Sequence, residues 1–548
     1  MNRIIFLDIE TNTKFDTIWC CVTKCDGEVK VWKEASGLRD FLKKDDQLVM
    51  HNGISFDAPI LNRLWNTKIR LSQCTDTLIM SRLLNPNREN GHSLASFGSR
   101  LGLPKIDFTD YDGGLSEEMV EYCIRDVELL EKVYYELRRE QKSYGFSDKS
   151  VELEHEVAAI ISRQERRGFK LDVPKCMELL AQFADRMGTI EQELQQVFPP
   201  ITTERYSEKT GKRLKDDVEV FNPGSRQQIA KRLISLGWKP TKTTEKGSVI
   251  VDEGTLSGVD FPEAKLVAEY LMLQKRYAQV KSWTDAVEED GRVRGKVITN
   301  GAVTGRMTHH SPNMAQIPSS SSPYGEECRS CWIVDEGYSL VGADASGLEL
   351  RMLAHYMKDA DYVREVCEGD IHTKNQNAAG LQTRPQAKTF IYAFLYGAGP
   401  AKIGSIVGGG RQEGEQLISS FLDNTPALKA LRAKVERMAE KGHLPGLDGR
   451  RLFVRSTHSA LNTLLQGAGA IVMKQALMIL SNKIKKDKID AHFVVNVHDE
   501  FQLEVRRDQA EIVGKLAVES IADAGVLLQL NCPLTGDYKI GFNWKDTH

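Results

Sequence analysis

The stretch Arg384-Pro385-Gln386-Ala387-Lys388-Thr389-Phe390-Ile391-Tyr392-Ala393-Phe394-Leu395-Tyr396-Gly397 decides how the rest of this 548-residue chain is read. Arg384, Lys388, Tyr392 and Tyr396 recur at steps of four. On an α-helix such a step turns ~400°, so the stripe drifts only ~40° per step and keeps to one side. Pro385 is placed like a first-turn proline and Gly397 like a closing glycine, so the spacing predicts a helix between them. Two cations in its first turn oppose the helix dipole, at a cost of about a few tenths of a kcal/mol. A polyanion reverses that cost, because two cations and free N–H groups make an anion site. Further along, two phenol rings are spaced to stack on something flat. Cations followed by rings match the two ends of a nucleoside triphosphate. The spacing alone fits equally a solvated Arg/Lys face above a half-buried tyrosine pair.

Working outward, the length predicts three or four domains at ~100–200 residues each. Composition is that of a globular chain, 41% hydrophobic and 27% charged, long enough for a large core. No apolar run is read as approaching the ~18 residues of a membrane span, and no membrane partner is expected. Arg3-Ile4-Ile5-Phe6-Leu7-Asp8 is too short, and too soon met by acid, for a signal peptide, so a cytoplasmic protein is expected. The ten cysteines are irregularly spaced. One CxxC, Cys328 to Cys331, has no second pair or histidine cluster to complete a four-ligand zinc site, so buried thiols are expected. Net charge is −3, which neither announces nucleic-acid binding nor excludes it, since clustered carboxylates mask basic grooves.

Residues 4–9 are apolar apart from Asp8, as in a buried strand. Strands are expected at 17–22 and 29–32 around an Asp26-Gly27 turn, and a long amphipathic helix at 116–139. Residues 143–147 read as a linker. Residues 150–198 read as helical, broken at Gly168 and restarted after Asp172-Val173-Pro174. Residues 199–220 are polar, with five basic and five acidic side chains, and read as an exposed tip. A hairpin is expected at 492–505.

Asp8-Ile9-Glu10 closes the first strand. Side chains two apart on a strand face one way, and two hard anions at a strand end suit Mg²⁺ or Mn²⁺. Downstream lie Asp57, in Asn52-Gly53-Ile54-Ser55-Phe56-Asp57, and Asp126, in Tyr122-Cys123-Ile124-Arg125-Asp126. Together they give four acids for a two-metal site with ions ~3.5–4 Å apart. Tyr122, one turn before Asp126, is placed to orient a water. These segments resemble the proofreading 3′–5′ exonuclease superfamily of the Asp-Glu-Asp-Asp-Tyr type. In the C-terminal half a strand runs into Asp344-Ala345-Ser346-Gly347-Leu348-Glu349, and another into His498-Asp499-Glu500. Acids at turns are individually unremarkable, but Asp499 with Asp344 makes a second candidate metal pair.

Asp344–Glu349, the Arg384–Tyr396 stretch and His498–Glu500, in this order, resemble motifs A, B and C of family A (DNA polymerase I type) DNA polymerases, closest to the replicative polymerases of T-seven-like podoviruses. Thr304-Gly305-Arg306, Pro312-Asn313-Met314-Ala315-Gln316-Ile317-Pro318, Gly369-Asp370-Ile371-His372-Thr373 and Leu461-Asn462-Thr463-Leu464-Leu465-Gln466 extend the likeness over nearly the whole chain. The resemblance implies a multidomain α/β and α+β protein, a ribonuclease H-like exonuclease domain followed by a right-hand polymerase. The expected spans are exonuclease 1–147, thumb 148–297 with a short tip at 199–220, palm 298–359 and 456–548, and fingers 360–455. It implies template-directed DNA synthesis from dNTPs on primer-template DNA, with two Mg²⁺ per active site and Mn²⁺ as the alternative, and 3′–5′ proofreading.

The resemblance also implies roles. Asp344 and Asp499 hold the polymerase metals, Glu500 supports the metal site or primer end, and His498 the primer terminus. Arg384, Lys388 and His372 grip the triphosphate. Tyr392 packs on sugar and base, Tyr396 lies near the templating base, and Glu349 with Tyr392 crowds the 2′ position. Arg306, Asn462 and Gln466 contact the duplex. Asp8, Glu10, Asp57 and Asp126 hold the exonuclease metals. No 5′ nuclease region precedes Asp8, so flap removal is not expected. His458 stands where many bacterial relatives carry Arg and phage relatives carry His. A phage-like system implies a host-cytoplasm location, with a helicase-primase and single-strand binding protein as partners. The tip lacks the long basic insertion that clamps thioredoxin in the best-known phage relative, so thioredoxin is not expected. A repair polymerase and a DNA-binding scaffold with dead sites are the alternatives; intact acids in both sets speak against the scaffold.

Overall fold

A computed structural model describes residues 3–240, 242–256 and 258–548. The apolar run at the N-terminus becomes the central strand, Ile4–Thr11, of a five-stranded sheet. It pairs antiparallel with Ile18–Cys25, which pairs with Glu28–Trp32, and parallel with Gln47–Met50, which pairs with Cys74–Asp76. The second strand runs three residues past the expected end, into the turn at Asp26 and Gly27, both of positive φ. The two-residue period sends Ile5, Leu7 and Ile9 to one core and Phe6 to another beneath helix Glu117–Tyr144. Asp8 and Glu10 share the parity of Phe6 and point to the face that this helix covers.

Helix Asp148–Arg167 is capped by Ser147 and ends at Gly168. It lies at the start of the expected 148–297 span, and its packing is divided. Ala158 and Ala159 belong to the N-terminal core, whereas Leu153, Val157, Ile160 and Ile161 belong to the large C-terminal core. Glu154 on this helix is fully buried and receives Lys474 Nζ at 2.6 and 2.8 Å and Arg450 Nη1 at 2.5 Å. Strand Phe169–Leu171 then joins Trp332–Ile333 and Arg292–Val293 in a small sheet. Long helices Val173–Val197 and Pro262–Asp285 pack on each other around Phe183, Leu194, Leu273 and Trp283. Between them the 199–220 tip carries one short hairpin, Ile201–Thr203 with Asp217–Glu219, and its residues are mostly exposed.

The C-terminal half is built on an antiparallel sheet of four strands: Ala491–Val497, Glu500–Arg506, Tyr338–Ala345 and Gly536–Gly541. Helices Ala460–Lys486 and Ala510–Leu527 pack against it. The sequence reading missed one feature here. Thr457–Lys486 is long and apolar enough to cross a membrane, with mean hydropathy 1.4 over an 18-residue window, but 83% of that window is buried inside the protein. Its small residues, Gly467, Ala468, Gly469 and Ala470, let neighbours approach closely on all sides. Helices Ala360–Cys367, Ile371–Ala379, Arg384–Leu395, Arg411–Asp423 and Pro426–Ala439 follow between two strands of this sheet and share its core through Tyr362, Phe390, Phe421 and Leu428.

Candidate active sites

The C-terminal site begins with register. Asp344 is the penultimate residue of the strand Tyr338–Ala345 and lies opposite Glu500 on one neighbour and Asp537 on the other. Between Val497 and Glu500 the chain turns through His498, whose φ of 55° is in the left-handed region, a sparsely used conformation for a non-glycine residue. Ala345 N donates to Asp499 O at 3.1 Å, which ties the turn to the end of Asp344's strand. Asp344 opens to the cleft, yet surrounding protein, then Asp499, Glu500, Glu349 and Asp537, push its carboxyl up to about 8. Burial and then Glu349 push Asp499 up to about 6. Like charges gathered with few compensating donors are the electrostatic form of a cation site.

Glu500 stands apart from that crowd. Its carboxylate is buried and accepts Gln502 Nε2 at 2.5 Å, Trp544 Nε1 at 2.6 Å and His548 Nδ1 at 3.1 Å. Burial works to raise it, but His548, Gln502 and Trp544 hold it below the usual carboxylate range. Its oxygens are already engaged, so it braces the turn rather than opening to the cleft.

The stripe forms the expected helix, Arg384–Leu395, with Thr383 as N-cap, a Thr383/Gln386 capping box, Pro385 in the first turn and Gly397 at positive φ. Ala387, Phe390, Ile391, Phe394 and Leu395 are buried, which leaves Arg384, Lys388, Tyr392 and Tyr396 on the other face. Tyr392 and Tyr396 stack, with centroids 6.4 Å apart and planes at 24°. His372 lies 6.2 Å from the Tyr392 ring, and its buried Nδ1 has no partner. Burial, then Arg384 and Lys388, hold His372 below its usual value, so it joins both cations in one cluster. Arg384 pairs with Asp370 at 2.8 Å, while Lys388 makes no hydrogen bond or ion pair among the described residues. The stripe faces the acids: Tyr396 OH donates to Glu349 at 3.0 Å, and the charges of Glu349 and Asp499 reach Tyr392. Arg306 Nη2 also reaches Glu349, at 3.3 Å. Asn462 and Gln466 sit half-buried, four apart, at the start of helix Ala460–Lys486.

The N-terminal site brings all four expected acids together. Asp57 opens helix Asp57–Trp65 and is 3% exposed with Oδ1 unpartnered. Its loop is fixed by Asp76, which accepts Asn52 N, Ile54 N and Leu78 N, while Ser162 donates to Ile54 O at 3.0 Å. Asp126, also 3% exposed, has Oδ1 unpartnered. Burial and then Asp126 push Asp8 up to about 7, and burial, then Asp8 and Asp126, push Glu10 up to about 9. Buried, unpartnered oxygens among mutually repelling carboxyls fit hard divalent ions. Tyr122 is on the same helix as Asp126.

Several site residues gave no sequence signal. Lys105 Nζ lies 2.5 Å from Asp126 Oδ2 and 2.7 Å from Tyr122 OH. Tyr111 OH lies 3.4 Å from Tyr122 OH. Asp537 flanks Asp344 and accepts Ser346 Oγ at 2.9 Å. Cys123 donates to Asp8.

The description DNA polymerase family A matches residues 186–546, and 3′-5′ exonuclease matches residues 14–142. The chain is 35% identical to the DNA-directed DNA polymerase of Enterobacteria phage T3, over 92% of this chain and 93% of that relative. It is 36% identical to that of Escherichia phage T7, over 91% and 92%. Its fold is similar to a structure described as the POL domain of Pol1 from M. smegmatis in complex with DNA primer-template and dNTP. The TM-score is 0.83 at 19% identity, covering all of this chain and 96% of that one.

Proposed function

The chain belongs to DNA polymerase family A and is a DNA-directed DNA polymerase with a 3′–5′ exonuclease domain, and from that premise we propose how its residues divide the work. Residues 1–147 edit, 148–297 form the thumb, 298–359 and 456–548 the palm, and 360–455 the fingers. Asp344 and Asp499 hold two Mg²⁺ ions, with Mn²⁺ as the alternative. When bound, such ions acidify the primer 3′-hydroxyl and neutralise the leaving pyrophosphate. Arg384, Lys388 and His372 bind the triphosphate; unpaired Lys388 and the unpartnered His372 Nδ1 support this. Phosphoryl transfer requires mostly positioning and charge stabilisation, which these side chains supply from two helices, Ile371–Ala379 and Arg384–Leu395.

Tyr392 packs on sugar and base, Tyr396 lies on the template side, and Glu349 with Tyr392 excludes a 2′-hydroxyl. Arg306, Asn462 and Gln466 contact the duplex, and His498 the primer terminus. Glu500 positions the His498–Asp499 turn through its bonds to Gln502, Trp544 and His548. In the editing site Asp8, Glu10, Asp57 and Asp126 hold the metals, and Tyr122 orients the attacking water. The reaction serves a phage-like replication system, with a helicase-primase and a single-strand binding protein as partners. The alignment with the T3 relative runs over 657 positions against 548 residues here, so that relative carries internal segments this chain lacks. The short, charge-balanced 199–220 tip accords with no thioredoxin requirement.

One observation carries the reading: the cation–tyrosine stripe faces one acid cluster, while a second acid cluster lies on a different sheet. Separation of function tests it. Asp344→Ala or Asp499→Ala stops nucleotide addition and leaves 3′-end degradation; Asp8→Ala with Glu10→Ala does the reverse. Loss of both activities from one pair, in a folded protein, overturns the assignment.

A further inference from the structure

Helix Asp148–Arg167 floors a cavity of about 500 Å³ whose lining includes no residue of either acid set. Arg70, Leu71 and Ser72, just before strand Cys74–Asp76 of the N-terminal sheet, wall one side. Asn482 and Lys485, from the end of helix Ala460–Lys486, and Phe493, from strand Ala491–Val497, wall the other. The cavity therefore lies where the N-terminal unit meets the unit built on the four-stranded sheet.

Its polar lining is almost all donor. The Lys485 ammonium makes no hydrogen bond or ion pair among the described residues, and Arg163 reaches only Ser481 Oγ, at 3.5 Å. The Arg70 guanidinium donates only to the backbone oxygen of Lys44. Arg167 is held from behind: buried Glu504 accepts its Nε at 2.8 Å and its Nη2 at 2.5 Å, and its Nη1 has no hydrogen-bond partner. Gln164 is 5% exposed, and its Oε1 accepts Asn496 Nδ2, so its own Nε2 is left without an acceptor. Among the described residues, Glu156 is the one carboxylate in the lining.

Arg163 and Arg167 stand one helical turn apart, where like charges oppose the helix. A polyanion removes that opposition, and it also supplies the acceptor that Gln164 Nε2 lacks. Guanidinium groups take phosphate oxygens in pairs, and Arg167, fixed by Glu504, is already oriented to do so. Leu71, Ile160 and Phe493 give the cavity an apolar side. Its volume falls in the range of small-molecule pockets, ~300–1,000 Å³.

We propose that this cavity is a second nucleotide site, separate from the Arg384–Tyr396 stripe, for a free nucleoside di- or triphosphate. The phosphates lie on Arg70, Arg163, Arg167 and Lys485, and the base lies toward Leu71, Ile160 and Phe493. Because the cations come from both units, the occupant bridges them. Gln164 links it to Asn496, two residues before His498, and Ser162 on the same helix holds Ile54 of the Asp57 loop.

The test uses the full chain in chelator and without DNA, so that ion-dependent binding at the acid sets is absent. ATP carrying a fluorescent ribose tag is the probe, read by anisotropy, with thermal unfolding as the folding control. Arg70→Ala, Arg163→Ala and Lys485→Ala are each expected to weaken binding by roughly tenfold. Lys388→Ala, in the stripe, is expected to leave this binding in place. Inorganic triphosphate is expected to displace the probe, and adenosine is not. Binding that Lys388→Ala abolishes and the three cavity variants leave unchanged overturns the proposal. So does displacement by a single-stranded oligonucleotide but not by inorganic triphosphate, which would make the cavity a groove for a DNA strand.

Discussion

Removing divalent metal should make the N-terminal sheet less stable as pH rises. Asp8 titrates near 7 in the fold against an ordinary 3.8, chiefly through burial and then the Asp126 charge. A carboxyl raised on folding is protonated in the native state where the unfolded chain has already released its proton. Stability therefore falls with pH from about 4 up to about 7 and is flat above. At ~1.36 kcal/mol per unit, Asp8 alone costs about 2 kcal/mol near pH 5 and about 4 kcal/mol near pH 8. Glu10, raised to about 9, extends the slope upward, but its rise already includes the Asp8 charge, so the two are not summed. Asp8→Asn removes the penalty, and its advantage over wild type in chelator should widen by ~2–3 kcal/mol between about pH 5 and about pH 8. Hydrogen exchange at the amides of Ile4–Thr11, with denaturant, reads this sheet without the rest of the chain. Mg²⁺ should abolish the gap, because it binds only the folded acid set. A gap that stays constant with pH, or a wild type that gains stability in chelator as pH rises, refutes the reasoning.

Glu154→Gln should destabilise the protein by ~3–5 kcal/mol in urea unfolding, since it leaves Arg450 and Lys474 buried with only Asp448; adding Lys474→Met should recover part of the loss. Tyr392→Phe should raise discrimination against dideoxynucleotides by roughly tenfold in single-turnover incorporation, because its hydroxyl substitutes for the absent 3′-hydroxyl contact; an unchanged ratio counts against that role. Added thioredoxin should leave the product-length distribution in primer extension unchanged, and longer products would show that the 199–220 tip, or another surface, recruits it.

Much of both sites was legible because local rules place the side chains. Two-residue parity puts Asp8 and Glu10 on one face, a step of four builds the Arg384–Tyr396 stripe, and the turn at His498 and Asp499 follows from two flanking strands. What remained hidden depends on pairing across the fold. Lys105 lies in a stretch without periodicity and reaches Tyr122 from 17 residues away. Cys123 meets Asp8 from 115 residues away, and Lys474 meets Glu154 from 320. How Glu500 supports its site was hidden, because sequence shows only that it follows Asp499. The chain end, 48 residues on, supplies the His548 that occupies it. Helix Ala460–Lys486 was missed as an apolar span because Asn462, Gln466 and Lys474 interrupt it, and their burial or half-burial appears only once their neighbours are assembled.

The two acid sets differ in how they meet solvent, and that difference fits the proposed division of work. Asp344 is open, with the stripe set across from it, so a triphosphate and a duplex can arrive together and the cations of the far wall can follow the phosphates. Asp57 and Asp126 are 3% exposed, and Lys105 already neutralises one side of Asp126. An editing site so enclosed admits one frayed strand end rather than a duplex. Its acids repel one another in low dielectric until cations enter, so its activity should respond more steeply to metal supply than nucleotide addition does.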